Sequence, residues 1–230
     1  MEYLERFFFF PTKCDKYTDE NVTCIDDHYV YVRKASIPNN SRCLLVAKGN
    51  KGNLTTHSTY ALLDLFDHCY PLDINIYIIE YPGFGLQHSK QVSIKNCTDC
   101  IKFWLEYLSA RYDLVDCLGL SMGGGLMVET LCQTKYHVNN LYIVNSYTHL
   151  FGAIYDIAPI TYCILSTIFD EDKYLDTQTH LDQLNVEKII ILHSKGDTLM
   201  PYELTLYDSI HIKDKEFIEI TGEHNELLWI

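Results

Sequence analysis

The sequence predicts an α/β fold: a mostly parallel central sheet with helices on both faces. Three observations carry the expectation. Short, continuous apolar runs of strand length recur along the chain, as strands buried on both faces require. Segments with helical apolar spacing lie between them, and strands that alternate with helices imply parallel crossovers. The 230 residues, with an ordinary balance of apolar and charged side chains, are enough for one domain with a real core. The whole of 1–230 is therefore read as a single domain.

The chain starts "MEYLERFFFFPTKC". This stretch is too acidic, and its apolar part too short, for a secretory signal. Its four consecutive phenylalanines could touch a bilayer transiently, but a buried N-terminal segment is the favoured reading. "DHYVYVRKA" (27–35) alternates and reads as a strand of a half-exposed sheet. "RCLLVAKG" (42–49), "INIYIIEYP" (74–82), "VDCLGLS" (115–121), "NLYIVNSY" (140–147) and "EKIIILHS" (187–194) read as buried strands, and "KEFIEIT" (215–221) alternates again. Helical spacing runs over 56–70 (Leu62, Leu63, Leu65, Phe66), 94–111 (Ile101, Trp104, Leu105, Leu108) and 122–136 (Leu126, Met127, Leu131, Cys132). Pro201 is placed to open a further helix. Residues 148–183 break the rhythm, apolar first and acidic later, with Pro159 inside. They are longer than a βα unit needs and read either as a small cap insertion over the carboxyl edge of the sheet or as a crossover helix with an irregular tail.

Charge and cysteines narrow the function classes. A formal net charge of -13 argues against nucleic acid and anionic membrane surfaces as partners. No run of about eighteen apolar residues is present, so no membrane span is expected. Nine cysteines lie scattered, several in strand-like runs (Cys43, Cys117), and read as reduced core thiols of a cytoplasmic protein. Cys97 and Cys100 form a lone C-x-x-C without the second pair or context that zinc or redox chemistry needs.

"LGLSMGGG" (118–125) carries the chemistry. Ser121 ends a strand run and a helix follows, so G-x-S-x-G falls on a strand–turn–helix, the setting of a nucleophile elbow. The serine needs a sharp turn to project its hydroxyl, and the residues two before and two after, Gly119 and Gly123, must be small. The helix then aims its N–H groups at a reacting carbonyl. A serine also needs a base, and the base an orienting acid. Asp197 and His224 each follow a strand run, on the same carboxyl edge as Ser121 and in the order Ser, acid, His. Of the competitors, Asn145 carries no charge, Glu223 points elsewhere, and His193 sits on its strand run, packed or locally hydrogen-bonded. The oxyanion donors are expected at the N–H of Met122 and, from the loop "KGNKGN" (48–53), of Asn50, with Lys51 as the alternative. That loop lacks the G-x-x-x-x-G-K-[ST] pattern of a phosphate cradle.

These residues resemble the α/β-hydrolase-domain serine hydrolases, nearest to the branch that contains the cytosolic protein S-depalmitoylases. The resemblance runs from about residue 29 to 227, over "YVYVRK", "LLVAKGN", "EYPGFG" (80–85), "GLSMGG", "SKGDTLMP" and "GEHNE". It implies the α/β-hydrolase fold, hydrolysis of esters or thioesters through Ser121, Asp197 and His224, no metal and no dissociable cofactor. Three departures stand out. Lys48 replaces a family histidine, the branch's cysteine-rich lipidated N-terminus is missing, and "NELLWI" only begins the family's last helix, so that helix is expected to be truncated. The apolar residues of 148–168, among them Phe151, Ile154, Tyr155 and Ile164, are expected to hold an acyl chain. The expected substrate is an acylated small molecule or acyl-protein; protein depalmitoylation is favoured, with monoacylglycerol or lysophospholipid hydrolysis as the alternative. A non-catalytic binding or scaffold protein that keeps the fold is the reading from another class.

Overall fold

The computed structural model describes residues 8–37, 40–69, 73–157, 160, 163, 166, 175–181, 183–200, 207–209 and 214–224. In chain order the elements are β1 (Phe10–Pro11), β2 (Val22–Ile25), β3 (His28–Arg33), β4 (Arg42–Ala47), β5 (Lys51–Gly52), α1 (His57–Cys69), β6 (Asn75–Ile79), α2 (Ile94–Ser109), β7 (Leu114–Leu120), α3 (Met122–Thr134), β8 (Val138–Val144), α4 (Leu150–Ile157), α5 (Thr177–Leu181), β9 (Val186–Ser194) and β10 (Lys215–Ile220). Eight strands form one sheet in the order β10-β9-β8-β7-β4-β6-β3-β2. From β6 to β10 the neighbours are parallel, while β3 pairs antiparallel with both β6 and β2.

The continuous apolar runs are explained by a core on each face. Along β4, Cys43, Leu45 and Ala47 enter one core while Leu44 and Val46 enter the other, the period-2 alternation of a strand covered on both sides. The first core takes the inner faces of α2 and α3, including Ile101, Trp104, Leu105, Leu126 and Leu131. The second takes Leu62, Leu63 and Leu65 of α1. α2 starts cleanly because Ser93 caps it, its hydroxyl accepting the Asn96 N–H at 3.1 Å. Cys97 and Cys100 lie on the buried face of α2, and burial pushes the Cys100 thiol up to about 12, against a reactive thiolate.

Two features depart from the expectation. β2 was not foreseen: it forms a hairpin with β3 around Asp26 and Asp27, both at positive φ (46° and 63°), as a type I′ turn requires. Asp-Asp is an unusual pair there, so the usual turn signal is missing. The N-terminal segment also contributes the short strand β1, which runs parallel to β5. Phe8 and Phe9 are buried, edge-on against Phe151 (6.4 Å) and Phe84 (6.3 Å), whereas Phe10 is 61% exposed. Within 148–183, α4 and α5 are described and a bridge joins His149 to Asp176. The helix expected at Pro201 and the residues "NELLWI" lie outside the described residues. No described helix is long and apolar enough to cross a membrane.

Candidate active site

β7 delivers Ser121 to the carboxyl edge of the sheet, and α3 begins at the next residue. Ser121 has φ 52° and ψ −122°, a backbone conformation that a non-glycine residue holds only when its surroundings impose it. Here the imposition is close packing. A Cβ on Gly123 would stand 2.2 Å from the Ala47 carbonyl oxygen, and one on Gly119 would stand 2.5 Å from the Gly124 Cα. Both neighbours are backbone and cannot swing away, so both glycines are obligatory. The Ser121 carbonyl accepts the Gly124 N–H (2.9 Å) and the Ser146 hydroxyl (2.8 Å).

The three residues expected to cooperate meet at this edge. His224 Nε2 lies 2.9 Å from Ser121 Oγ, and His224 Nδ1 lies 2.6 Å from Asp197 Oδ2. All three side chains are buried. The other oxygen of Asp197, Oδ1, accepts the N–H groups of Leu199 (2.9 Å) and Met200 (2.7 Å), which fixes the carboxylate plane. His193 is locally bonded, its Nε2 lying 2.8 Å from the Met200 carbonyl, and burial pushes its pKa down, toward the neutral ring.

The residues after β8 frame these groups in a way the sequence reading missed. Asn145, at φ 42° and fully buried, accepts the Ser194 N–H (2.9 Å) and donates from Nδ2 to the His224 carbonyl (3.3 Å). It thus ties the strand that leads to Asp197 to the loop that carries His224. Tyr147 donates to the Met122 sulfur at 3.3 Å. The only signal was "NSY" at a strand end, and uncharged residues there do not announce a bracing role.

A cavity of about 260 Å³ opens beside the serine, bounded by Leu120, Ser121, His224, Thr12, the 49–52 loop, and Thr56 and His57 at the start of α1. β1 holds the loop. The Phe10 N–H donates to the Asn50 carbonyl (2.7 Å), the Asn50 side chain to the Phe8 carbonyl (2.8 Å), and the Thr12 N–H to the Gly52 carbonyl (3.1 Å). Lys48 braces it from behind. Its ammonium is buried, donating to the Asn53 carbonyl and, at 3.1 Å, to Thr59 Oγ1, and its carbonyl accepts the Tyr81 hydroxyl at 2.9 Å. Desolvation pushes the Lys48 pKa down to about 7, opposed by the Glu80 carboxylate. Burial in turn pushes Glu80 up, against the Tyr17 hydroxyl and Leu86 N–H that it accepts.

Met122 occupies the first position of α3, whose N–H lacks an intrahelical acceptor, and Asn50 borders the cavity. Of the residues expected to hold an acyl chain, Phe151 packs into the core, Ile154 packs at its edge and Tyr155 is 53% exposed; none of the three borders this cavity. Ile164 lies outside the described residues. No cluster of three or more His, Cys, Asp or Glu suited to a metal ion occurs among the described residues.

Solved structures share this architecture. An alpha-beta serine hydrolase homologue from Coxiella burnetii superposes with TM-score 0.64 at 12% identity, over 92% of each chain. Est1E from Butyrivibrio proteoclasticus, solved with bound ferulic acid, gives TM-score 0.64 at 12% identity over 88% of this chain and 90% of that one. The fold is the α/β-hydrolase fold. No family model matches the chain. A protein of Acanthamoeba polyphaga mimivirus, provisionally named an alpha/beta hydrolase, is 24% identical over 98% of this chain and 84% of its own length. In the α/β-hydrolase fold, Ser121, Asp197 and His224 follow β7, β9 and β10 respectively, which explains how residues so distant in sequence converge.

Proposed function

We propose that the protein is a serine ester hydrolase with Ser121 as nucleophile, His224 as base and Asp197 as the acid that orients it. The observation that carries this reading is the unbroken hydrogen-bonded line Ser121 Oγ, His224 Nε2, His224 Nδ1, Asp197 Oδ2 at 2.9 and 2.6 Å. With Nδ1–H donated to Asp197, Nε2 is the acceptor for the serine proton. As Oγ attacks the acyl carbonyl, Nε2 takes that proton, and the carbonyl oxygen becomes an oxyanion opposite the Met122 N–H and a loop N–H, from Asn50 or alternatively Lys51. Collapse expels the alcohol or thiol, protonated by His224. Water, deprotonated by the same nitrogen, then attacks the acyl-enzyme and releases the acid and the free serine.

The cavity supports esters in general. The finer sequence-based readings, depalmitoylation of proteins or hydrolysis of monoacylglycerols and lysophospholipids, rest on the apolar residues of 148–168. Comparing turnover of a palmitoyl-thioester peptide, a long-chain monoacylglycerol and 4-nitrophenyl acetate decides among them. The ester-hydrolase reading expects Ser121-dependent release of nitrophenol. Replacement Ser121→Ala is expected to lower the rate about 10⁴–10⁶-fold. A well-folded protein inert toward all three substrates returns the non-catalytic scaffold reading.

A further inference from the structure

The cavity beside Ser121 differs in charge from the molecule around it. The chain carries 31 acidic and 18 Lys and Arg residues, yet no carboxylate borders the cavity among the described residues. Lys51 and His57 do. Lys90, Lys95, Lys102, Lys188 and Lys195 each pair with a carboxylate, while Lys51 has no ion pair among the described residues. Its backbone is fixed by the pairing of β5 with β1, and the residue borders the cavity. His57 opens α1, whose first turn carries no acidic residue, and this positive end of the helix borders the same space.

A cation without an ion pair among the described residues, an imidazole and a helix end around one small cavity are suited to an anion. The size agrees: about 260 Å³ lies below the roughly 300–1,000 Å³ of pockets for drug-sized ligands, so the part of a ligand that enters it is compact. We propose that the substrate is a small ester bearing a carboxylate or phosphate, held by Lys51 and His57 while Ser121 attacks its acyl carbon. This rests on the ester-hydrolase reading for the attack, but the anion site stands on the cavity alone. The net negative surface adds discrimination. It repels anions at long range, so only a ligand that reaches Lys51 recovers the cost.

Binding to the Ser121→Ala protein, read by calorimetry, tests the site without requiring turnover, so failure of the hydrolase reading leaves the measurement intact. Two matched pairs are titrated: monomethyl glutarate against methyl hexanoate, and glycerol 3-phosphate against glycerol. The charged member of at least one pair is expected to bind about fivefold tighter or more. Preference in the glutarate pair places the anion on the acyl side, and preference in the phosphate pair places it on the alcohol side. Adding Lys51→Gln is expected to abolish most of that preference, and raised salt to weaken it. Equal or undetectable binding within both pairs, or a preference that survives Lys51→Gln together with His57→Gln, overturns the proposal.

Discussion

Lys48 shows how a buried charge is built into the support of a reactive site. Its ammonium spans the base of the 49–53 loop, where the resemblance expects histidine. Its pKa falls to about 7 in the folded protein, so the unfolded chain binds more protons between pH 7 and the ordinary lysine value of 10.5. Stability contributed by this group therefore rises as pH rises through that window, and the cost is fully present below pH 7. In urea unfolding, the native protein is expected to gain stability from pH 7 to 9 relative to Lys48→Met, and a constant difference between the two would refute the assignment. Asn145 makes a separate claim. Replacement by Ala strands the Ser194 N–H and loosens His224, and is expected to cost about 1–3 kcal/mol by urea unfolding and to lower kcat. Unchanged kcat would deny it a positioning role. Ser121, Asp197 and His224 were legible in the sequence because each follows an apolar run with turn residues. Asn145 was not, because its partners lie 49 and 79 residues away and one of them is a backbone carbonyl.

At the scale of elements, the strand-to-helix turn after β7 depends on backbone contact. Gly123→Ala drives a methyl group into the Ala47 carbonyl. It is expected to destabilise the protein by about 2–4 kcal/mol in urea unfolding, with loss of ester hydrolysis. An active, equally stable variant would contradict the close packing. The β1–β5 pair makes a milder prediction. Asn50→Ala keeps the loop N–H but loses the side-chain bond to the Phe8 carbonyl. A fall in kcat with KM little changed is expected, because the loop would hold the developing oxyanion less rigidly while ground-state contacts persist. The buried strands β4 and β6 to β9 were readable as apolar runs, and α1 to α3 as helical spacing, within a few residues of their ends. β1 and β5 were not, since two-residue strands carry no periodicity and exist only through each other.

For the whole molecule, the mostly parallel sheet matters because it gathers chain segments far apart in sequence onto one edge. β7, β9 and β10 each end beside the others' loops, and the two cores on either face hold that edge in register. The strand-length apolar runs already implied a sheet covered on both faces. They did not indicate that Lys51 and His57 border the cavity, because these residues join Ser121 only through the path of the 49–57 segment around it. The proposal that Ser121 is activated by the His224–Asp197 pair is tested most directly by the rate at which a fluorophosphonate modifies the folded protein, with the adduct located by peptide mass spectrometry. The expected result is a single adduct on Ser121, formed about 10³-fold more slowly or not at all in His224→Gln. An adduct elsewhere, none on the folded native protein, or an equal rate in His224→Gln would contradict it.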